Sequence, residues 1–263
     1  MRRKTAAVCR ATDEVLCVSI PKIIHYCWFG GGPISEADRK CMESWKKYCP
    51  DYKIIEWNEQ NFEISANRYA QQAYEAKKYA FVSDYVRLAV LYEYGGIYLD
   101  TDVELVRPLG ELLELPGFMG FQTNNEVATG LGFGARKGNS VVQALLRDYD
   151  ALDFLKADGS ADLTPCPERN TRVLQALGVR KDGTRQSIAE MEIFPAEYFC
   201  PMDLYSRKLR VTPKTYSIHR YAESWKPKPS AALVSSSKVR EASLSCSFSS
   251  ASFKSGYFAP SAG

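Results

Sequence analysis

Histidine is scarce in this chain: His25 and His219 are the only two. No C-x-x-C pair occurs either, which argues against a zinc site built from cysteine and histidine. An excess of charge of either sign is nearly absent. Lys+Arg number 34 against 31 Asp+Glu, and a net charge of +3 speaks against a polyanion-binding surface and against nucleic acid as a partner. No run approaches the roughly 18 apolar residues of a membrane span. None follows the basic Met1-Arg2-Arg3-Lys4 to form a signal peptide. The missing N-x-S/T sequon agrees with a non-secreted protein. A soluble, cytoplasmic protein is expected, with peripheral attachment to a membrane left open.

What is present points to one sizeable α/β body. The 263 residues suffice for a real core. The eight cysteines are scattered and read as reduced, mostly buried thiols without a catalytic role. Residues 1–19 lack periodicity and read as a flexible extension; residues 230–263, rich in serine, read as a disordered tail. Between them, 20–229 is the expected folded domain, with no internal repeat.

Within that domain Ile20–Trp28 reads as a buried strand ended by Gly30-Gly31-Gly32-Pro33. Ser35 with Asp38 resembles a capping box opening a helix through Lys47. Strands are expected at Tyr52–Trp57, Ile97–Leu99, Val103–Val106, Phe118–Gln122 and Thr129–Ala135. Helices are expected over 66–78, 79–94, 139–152 and 167–177. Strands separated by helices predict an α/β layer fold, and the segments around 97–135 predict some antiparallel pairing, hence a mixed sheet.

The chemistry centres on Tyr94-Gly95-Gly96-Ile97-Tyr98-Leu99-Asp100-Thr101-Asp102. Side chains two apart on a strand share a face, so Asp100 and Asp102 are expected to point the same way. Two neighbouring anions call for a divalent cation, and a cation at a strand end suits a phosphate-bearing substrate. Glu104 continues the alternation and could add a third carboxylate on the same side; it reads as structural support or as a residue backing the ligands. Upstream, Asp84 and Arg87 stand at i and i+3. They read either as an exposed ion pair or, because their helix leads through Gly95-Gly96 to the acidic pair, as part of the same cleft. His25 reads as a satisfied core residue.

Ile20-Pro21-Lys22-Ile23-Ile24-His25-Tyr26-Cys27-Trp28-Phe29-Gly30, Ser83-Asp84-Tyr85-Val86-Arg87 and the D-x-D segment together resemble glycosyltransferase family 32. That family contains capsular-polysaccharide enzymes and initiating mannosyltransferases, and the order is similar to the glucosylating domains of large clostridial toxins. The resemblance spans about residues 20–135, with a second anchor at Ser217-Ile218-His219-Arg220-Tyr221-Ala222-Glu223-Ser224-Trp225-Lys226.

The resemblance implies a GT-A fold, a single Rossmann-like domain with a mixed central sheet flanked by helices. It implies a UDP- or GDP-hexose donor, Mn²⁺ or Mg²⁺, and a saccharide or lipid-linked acceptor. Carried over, Trp28 would stack on the base, Asp84 would contact ribose or sugar, and Arg87 the sugar or phosphate. Asp100 would serve ribose, sugar or the ion, and Asp102 the ion directly. His219 would be a metal or diphosphate ligand, or merely structural; Ser224 and Trp225 are diphosphate candidates, and Lys226 a weaker one. Asn124, Asn125, Glu126 and the glycines of Thr129–Gly134 resemble the segment near donor sugar and acceptor. As the sugar leaves, charge grows on the phosphate, where one ion pair at about 4 Å is worth roughly 4 kcal/mol at an effective dielectric near 20.

Two other readings remain at this stage. A haloacid-dehalogenase-type phosphatase also places D-x-D at a strand end, but wants threonine where this chain has Glu104. A non-catalytic nucleotide-sugar binder would keep the same residues without turnover.

Overall fold

The computed structural model describes residues 19–203 and 205–222. In chain order the elements are β1 (Ile23–Cys27), α1 (Glu36–Tyr48), β2 (Lys53–Trp57), α2 (Arg68–Glu75), α3 (Tyr79–Tyr94), β3 (Gly96–Tyr98) and β4 (Val103–Leu105). There follow β5 (Gly117–Phe121), β6 (Val127–Ala128), β7 (Phe133–Ala135), α4 (Ser140–Asp150), α5 (Cys166–Ala176), β8 (Gln186–Ile188), β9 (Met191–Phe194), α6 (Ala196–Phe199) and β10 (Ser217–His219).

The main sheet runs β2-β1-β3-β7-β5-β9-β8, with β6 added against β5. Its β2-β1-β3 portion is parallel, β7 is antiparallel to both β3 and β5, and β9 returns parallel to β5. The sheet is therefore mixed and flanked by helices, as expected for the α/β class and consistent with the GT-A arrangement. Alternating strand residues feed two cores. Cys27, Tyr98, Phe121 and Phe133 pack with α2, α3, α4 and α5 on one face. Ile24, Tyr26, Ile97 and Phe118 pack with Trp45 of α1 and Phe199 of α6 on the other. A second, two-stranded sheet pairs β4 with β10, Val103 opposite His219.

Local chemistry explains the boundaries. Ser35 caps α1 by accepting from the Asp38 amide at 3.0 Å, as the sequence predicts. Helix α2 starts at Arg68 rather than 66, because the Asn67 side chain accepts from the Ala70 amide at 3.0 Å and a short 3₁₀ turn, Ile64–Ala66, precedes it. Helix α3 stops at Gly95, and Gly96 follows at φ +112°. A Cβ on Gly96 would lie 2.8 Å from the Ile23 carbonyl oxygen, so only glycine lets the chain turn directly from α3 into β3 beside β1. The expected strand Thr129–Ala135 is interrupted: only Phe133–Ala135 joins the ladder, since Gly132 takes φ +114°. Strands β8 and β9 and helix α6 are additions to the predicted elements.

His25 is the core residue expected. It is buried, its Nδ1 accepts from Trp57 Nε1 at 3.0 Å, and its Nε2 lies 2.9 Å from the Gly95 carbonyl oxygen. Burial outweighs that last bond and lowers its pKa to about 4. The unfolded chain then binds more protons than the folded one between about pH 4 and 6.5, so this residue's contribution to stability falls as pH drops through that window, by up to about 3 kcal/mol. Asp84 titrates in the opposite sense (below). The expected result is therefore a difference: urea unfolding at pH 7 and pH 5 loses less stability on acidification in His25→Gln than in wild type. Equal losses would exclude a buried, neutral His25.

Candidate active site

Strand β3 ends at Tyr98, so Asp100-Thr101-Asp102 is a turn between β3 and β4, not a continuation of the strand. The Asp100 amide donates to the Gly130 carbonyl at 3.3 Å and the Val103 amide to the Asp100 carbonyl at 3.0 Å. The two carboxylates thus do not share a pleat face, as strand alternation predicts. They converge because the turn folds them toward the end of β10. Ligand atoms of Asp100, Asp102 and His219 all lie within 4.8 Å of one another.

Asp102 is the best-held member of this group. Its Oδ1 is 3.1 Å from His219 Nε2, and its Oδ2 accepts from the Ala222 amide at 2.8 Å. Burial works against the charge on Asp102, yet His219 and the Ala222 amide hold its carboxyl below the usual range. Burial likewise opposes a proton on His219, and the Asp102 carboxylate outweighs it, so the imidazole pKa stands above its ordinary value. His219 Nδ1 is buried without a hydrogen-bond partner among the described residues. Glu104 is not one of this group's ligand atoms and is bound by Arg220, whose Nε donates to it at 2.9 Å; it braces the β4–β10 pair.

A donor set of two carboxylates and one imidazole fits a divalent cation. The imidazole favours Mn²⁺ over Mg²⁺, which prefers an all-oxygen octahedron.

Asp84 and Arg87 join the same site from α3, and both are buried. The exposed-ion-pair reading is thereby excluded. Arg87 forks between two carboxylates: Nη1 to Asp84 Oδ1 at 3.1 Å and Nη2 to Asp100 Oδ1 at 3.1 Å. Its guanidinium lies 4.9 Å from the Tyr98 ring centre, and the Tyr98 hydroxyl donates to the same Asp100 oxygen at 3.0 Å. Burial raises the Asp84 pKa to about 6, against the pull of Arg87. In Asp84 the folded state binds the extra proton, so its contribution to stability rises as pH falls toward 4.

Thr129, which opens the glycine-bearing segment noted in the sequence, and Cys166 close on Arg87, and Asn170 backs them both; Cys166 and Asn170 carry no signal in the sequence. Arg87 Nη1 is 3.4 Å from Thr129 Oγ1 and 3.6 Å from Cys166 Sγ. Asn170 Nδ2 donates to Thr129 Oγ1 at 3.1 Å and to Cys166 Sγ at 3.2 Å. Burial pushes the Cys166 thiol up to about 12, so it stays protonated. Cys27, Cys41, Cys49, Cys166 and Cys200 are all free and buried, as expected; Cys9, Cys17 and Cys246 lie outside the described residues.

Gly130 sits directly under Asp100: a Cβ there would collide with Asp100 Oδ2 and come within 3.5 Å of Arg87 Nη1. The expected result for Gly130→Ala is a displaced Asp100 carboxylate and an affinity for Mn²⁺ weakened about tenfold or more, read by calorimetric titration of the ion into the protein. Unchanged Mn²⁺ binding would show that Asp100 is not one of the ion's ligands.

The remaining sequence candidates divide. Trp28 follows β1 at the carboxyl end of the parallel strands and donates through Nε1 to the Gly32 carbonyl at 2.6 Å. It makes no hydrogen bond or ion pair to the carboxylate group among the described residues. Asn124 and Glu126 bond mainly to each other, and Glu126 also pairs with Lys181 at 3.1 Å. Ser224, Trp225 and Lys226 lie outside the described residues.

Comparison with known proteins places this geometry in context. Residues 35–118 match the family described as "Glycosyltransferase sugar-binding region containing DXD motif". Inositol phosphoceramide mannosyltransferase 3 of Schizosaccharomyces pombe is 30% identical over 144 residues, covering 52% of this chain and 39% of that protein. Mannosyl phosphorylinositol ceramide synthase SUR1 of Saccharomyces cerevisiae is 34% identical over 107 residues, 38% of this chain and 27% of that one. The chain thus spans less than half the length of either. Uncharacterized glycosyltransferase L373 of Acanthamoeba polyphaga mimivirus is 26% identical over 219 residues, covering 79% of this chain and 84% of the relative. Among solved structures, the PaToxG glycosyltransferase aligns with a TM-score of 0.45 at 22% identity, covering 60% of this chain and 69% of that one.

Proposed function

We propose, from the match of residues 35–118 to a glycosyltransferase sugar-binding region containing a DXD motif, that the protein moves a hexose from a nucleoside-diphosphate sugar to a saccharide or lipid-linked acceptor, with retention of configuration. The observation that carries the reading is the convergence of Asp100, Asp102 and His219 from two distant parts of the chain. Two relatives named for mannosyl transfer to a phosphoinositol ceramide support mannose as the sugar and a lipid-borne acceptor within that scheme.

Each residue has a role its surroundings suit. Asp102, Asp100 and His219 would hold the divalent ion. When bound, that ion neutralises the charge growing on the departing diphosphate. Arg87 is kept cationic and fixed by Asp84, Asp100 and the Tyr98 ring, so its guanidinium is positioned beside the donor without reorganising. Asp84 would take a hydroxyl of the ribose or the sugar. Trp28, on the loop after β1, would stack on the base, with Ser224 and Trp225 toward the diphosphate.

The phosphatase alternative fares worse on one observation. Position 104, where that mechanism wants threonine, carries a glutamate held by Arg220 Nε at 2.9 Å. The deciding experiment mixes the purified protein and Mn²⁺ with a panel of UDP- and GDP-sugars. Release of nucleotide from one donor is expected; saturable donor binding without release under any acceptor would make the chain a binder instead.

A further inference from the structure

Seven large apolar side chains are well exposed among the described residues, and three fall within one short stretch: Tyr205 at 81%, Leu209 at 42% and Val211 at 52%. Cations interleave with them, Arg207, Lys208 and Arg210, all exposed. Among the described residues none of the three forms an ion pair, whereas the nearby Lys214 is matched by Glu197 at 2.9 Å.

This stretch is a built hairpin. Met202 and Leu209 pair as an antiparallel bridge, the Arg210 amide donates to the Pro201 carbonyl at 3.0 Å, and the Asp203 amide to the Lys208 carbonyl at 2.9 Å. The tip is fixed by the Asp203 carboxylate, which accepts from the Tyr205 and Ser206 amides at 3.2 and 2.7 Å. Such a tip presents its side chains at little further entropic cost. It is also joined to the ion site. Arg207 Nη2 donates to the Arg220 carbonyl at 2.7 Å, its guanidinium stands 5.3 Å from the Tyr221 ring centre, and that ring packs on His219 at 4.2 Å.

We propose that the hairpin carrying Tyr205, Leu209 and Val211 docks the protein on an anionic bilayer surface, seating the aromatic and aliphatic side chains at the headgroup boundary and the cations among the phosphates. Interleaved apolar and basic side chains are the composition of interfacial anchors. A folded protein partner is the weaker fit: three exposed apolar side chains on one short hairpin are few against the roughly 1,000 Å² that a stable interface buries. Docking of this kind is independent of sugar transfer, although it would hold the His219 end of the site against a membrane-borne acceptor.

The test is sedimentation of the full chain with phosphatidylcholine vesicles, with and without phosphatidylserine. Binding at least about tenfold tighter to the anionic vesicles is expected. Lys208→Glu with Arg210→Glu should abolish that preference, and Tyr205→Ser with Val211→Ser should weaken binding about tenfold. All variants should keep wild-type circular dichroism and donor-sugar hydrolysis, which separates this proposal from the transferase reading. Equal binding to both vesicle types, retention of binding in both double variants, or equally tight capture by soluble polyglutamate would each overturn it.

Discussion

Asp102→Ala is expected to lower Mn²⁺-dependent release of nucleotide from the donor by about 10³-fold or more. Three observations set that expectation. Asp102 belongs to the carboxylate–imidazole group whose ligand atoms lie within 4.8 Å of one another. Its two oxygens are aimed by different partners, His219 and the Ala222 amide, and both partners favour its charged form. Removing it therefore deletes a charged ligand and also leaves His219 without the anion that orients it. Asp102→Asn keeps the bond to the Ala222 amide but not the charge, so it should lose nearly as much activity with a smaller loss of stability. Chelation of wild type should reproduce the loss, and Mn²⁺ should restore wild type but neither variant. Wild-type turnover in Asp102→Ala would remove the ion from this position altogether.

Arg87→Ala should be the most destabilising single change in the site. It deletes a buried cation shared by the buried Asp84 and the partly exposed Asp100. Breaking a buried pair from one side typically costs about 3–5 kcal/mol, because the other charge remains unpaired. Here two charges remain. For a domain of this size such a loss lowers the melting temperature by roughly 10 °C. The pH dependence provides the internal check. Without Arg87, nothing offsets the burial of Asp84, which holds its proton to still higher pH, so the folded state binds more protons than the unfolded one. The variant's deficit should therefore shrink as pH falls from 7 toward 5. Arg87→Lys restores the charge without the fork and should recover part of the stability. A variant that melts like wild type at pH 7 would mean that Asp84 and Asp100 reach water.

The sequence made the motifs legible but not the way they meet. Asp84, Arg87, Asp100 and Asp102 are recognisable as candidates from residue type and spacing and His219 from the family resemblance of its segment, and the structure brings all five together. Strand alternation gives the wrong reason for the acidic pair, since Asp100-Thr101-Asp102 is a turn. What aligns it is the pairing of β4 with β10, a long-range contact that no local pattern reports. The burial of Arg87 was also invisible locally, because i, i+3 spacing is the same for an exposed pair and a buried one. Thr129, Cys166 and Asn170 carry no spacing signal relative to Arg87; Cys166 and Asn170 reach it only because α5 packs against β6. Helices α1 and α3 were legible because capping and glycine chemistry are local, at Ser35 and Gly95.

The two-stranded β4–β10 ribbon has a further consequence. The amide that grips Asp102 belongs to Ala222, 120 residues along the chain, so the loop closed at this point takes in more than half of the described protein. An ion seated between Asp100, Asp102 and His219 would act as a buckle on that loop, and fastening it and making the protein ready for turnover would be one equilibrium. Heat, urea or a chelator that slackens the buckle would then silence the enzyme before the main sheet gives way.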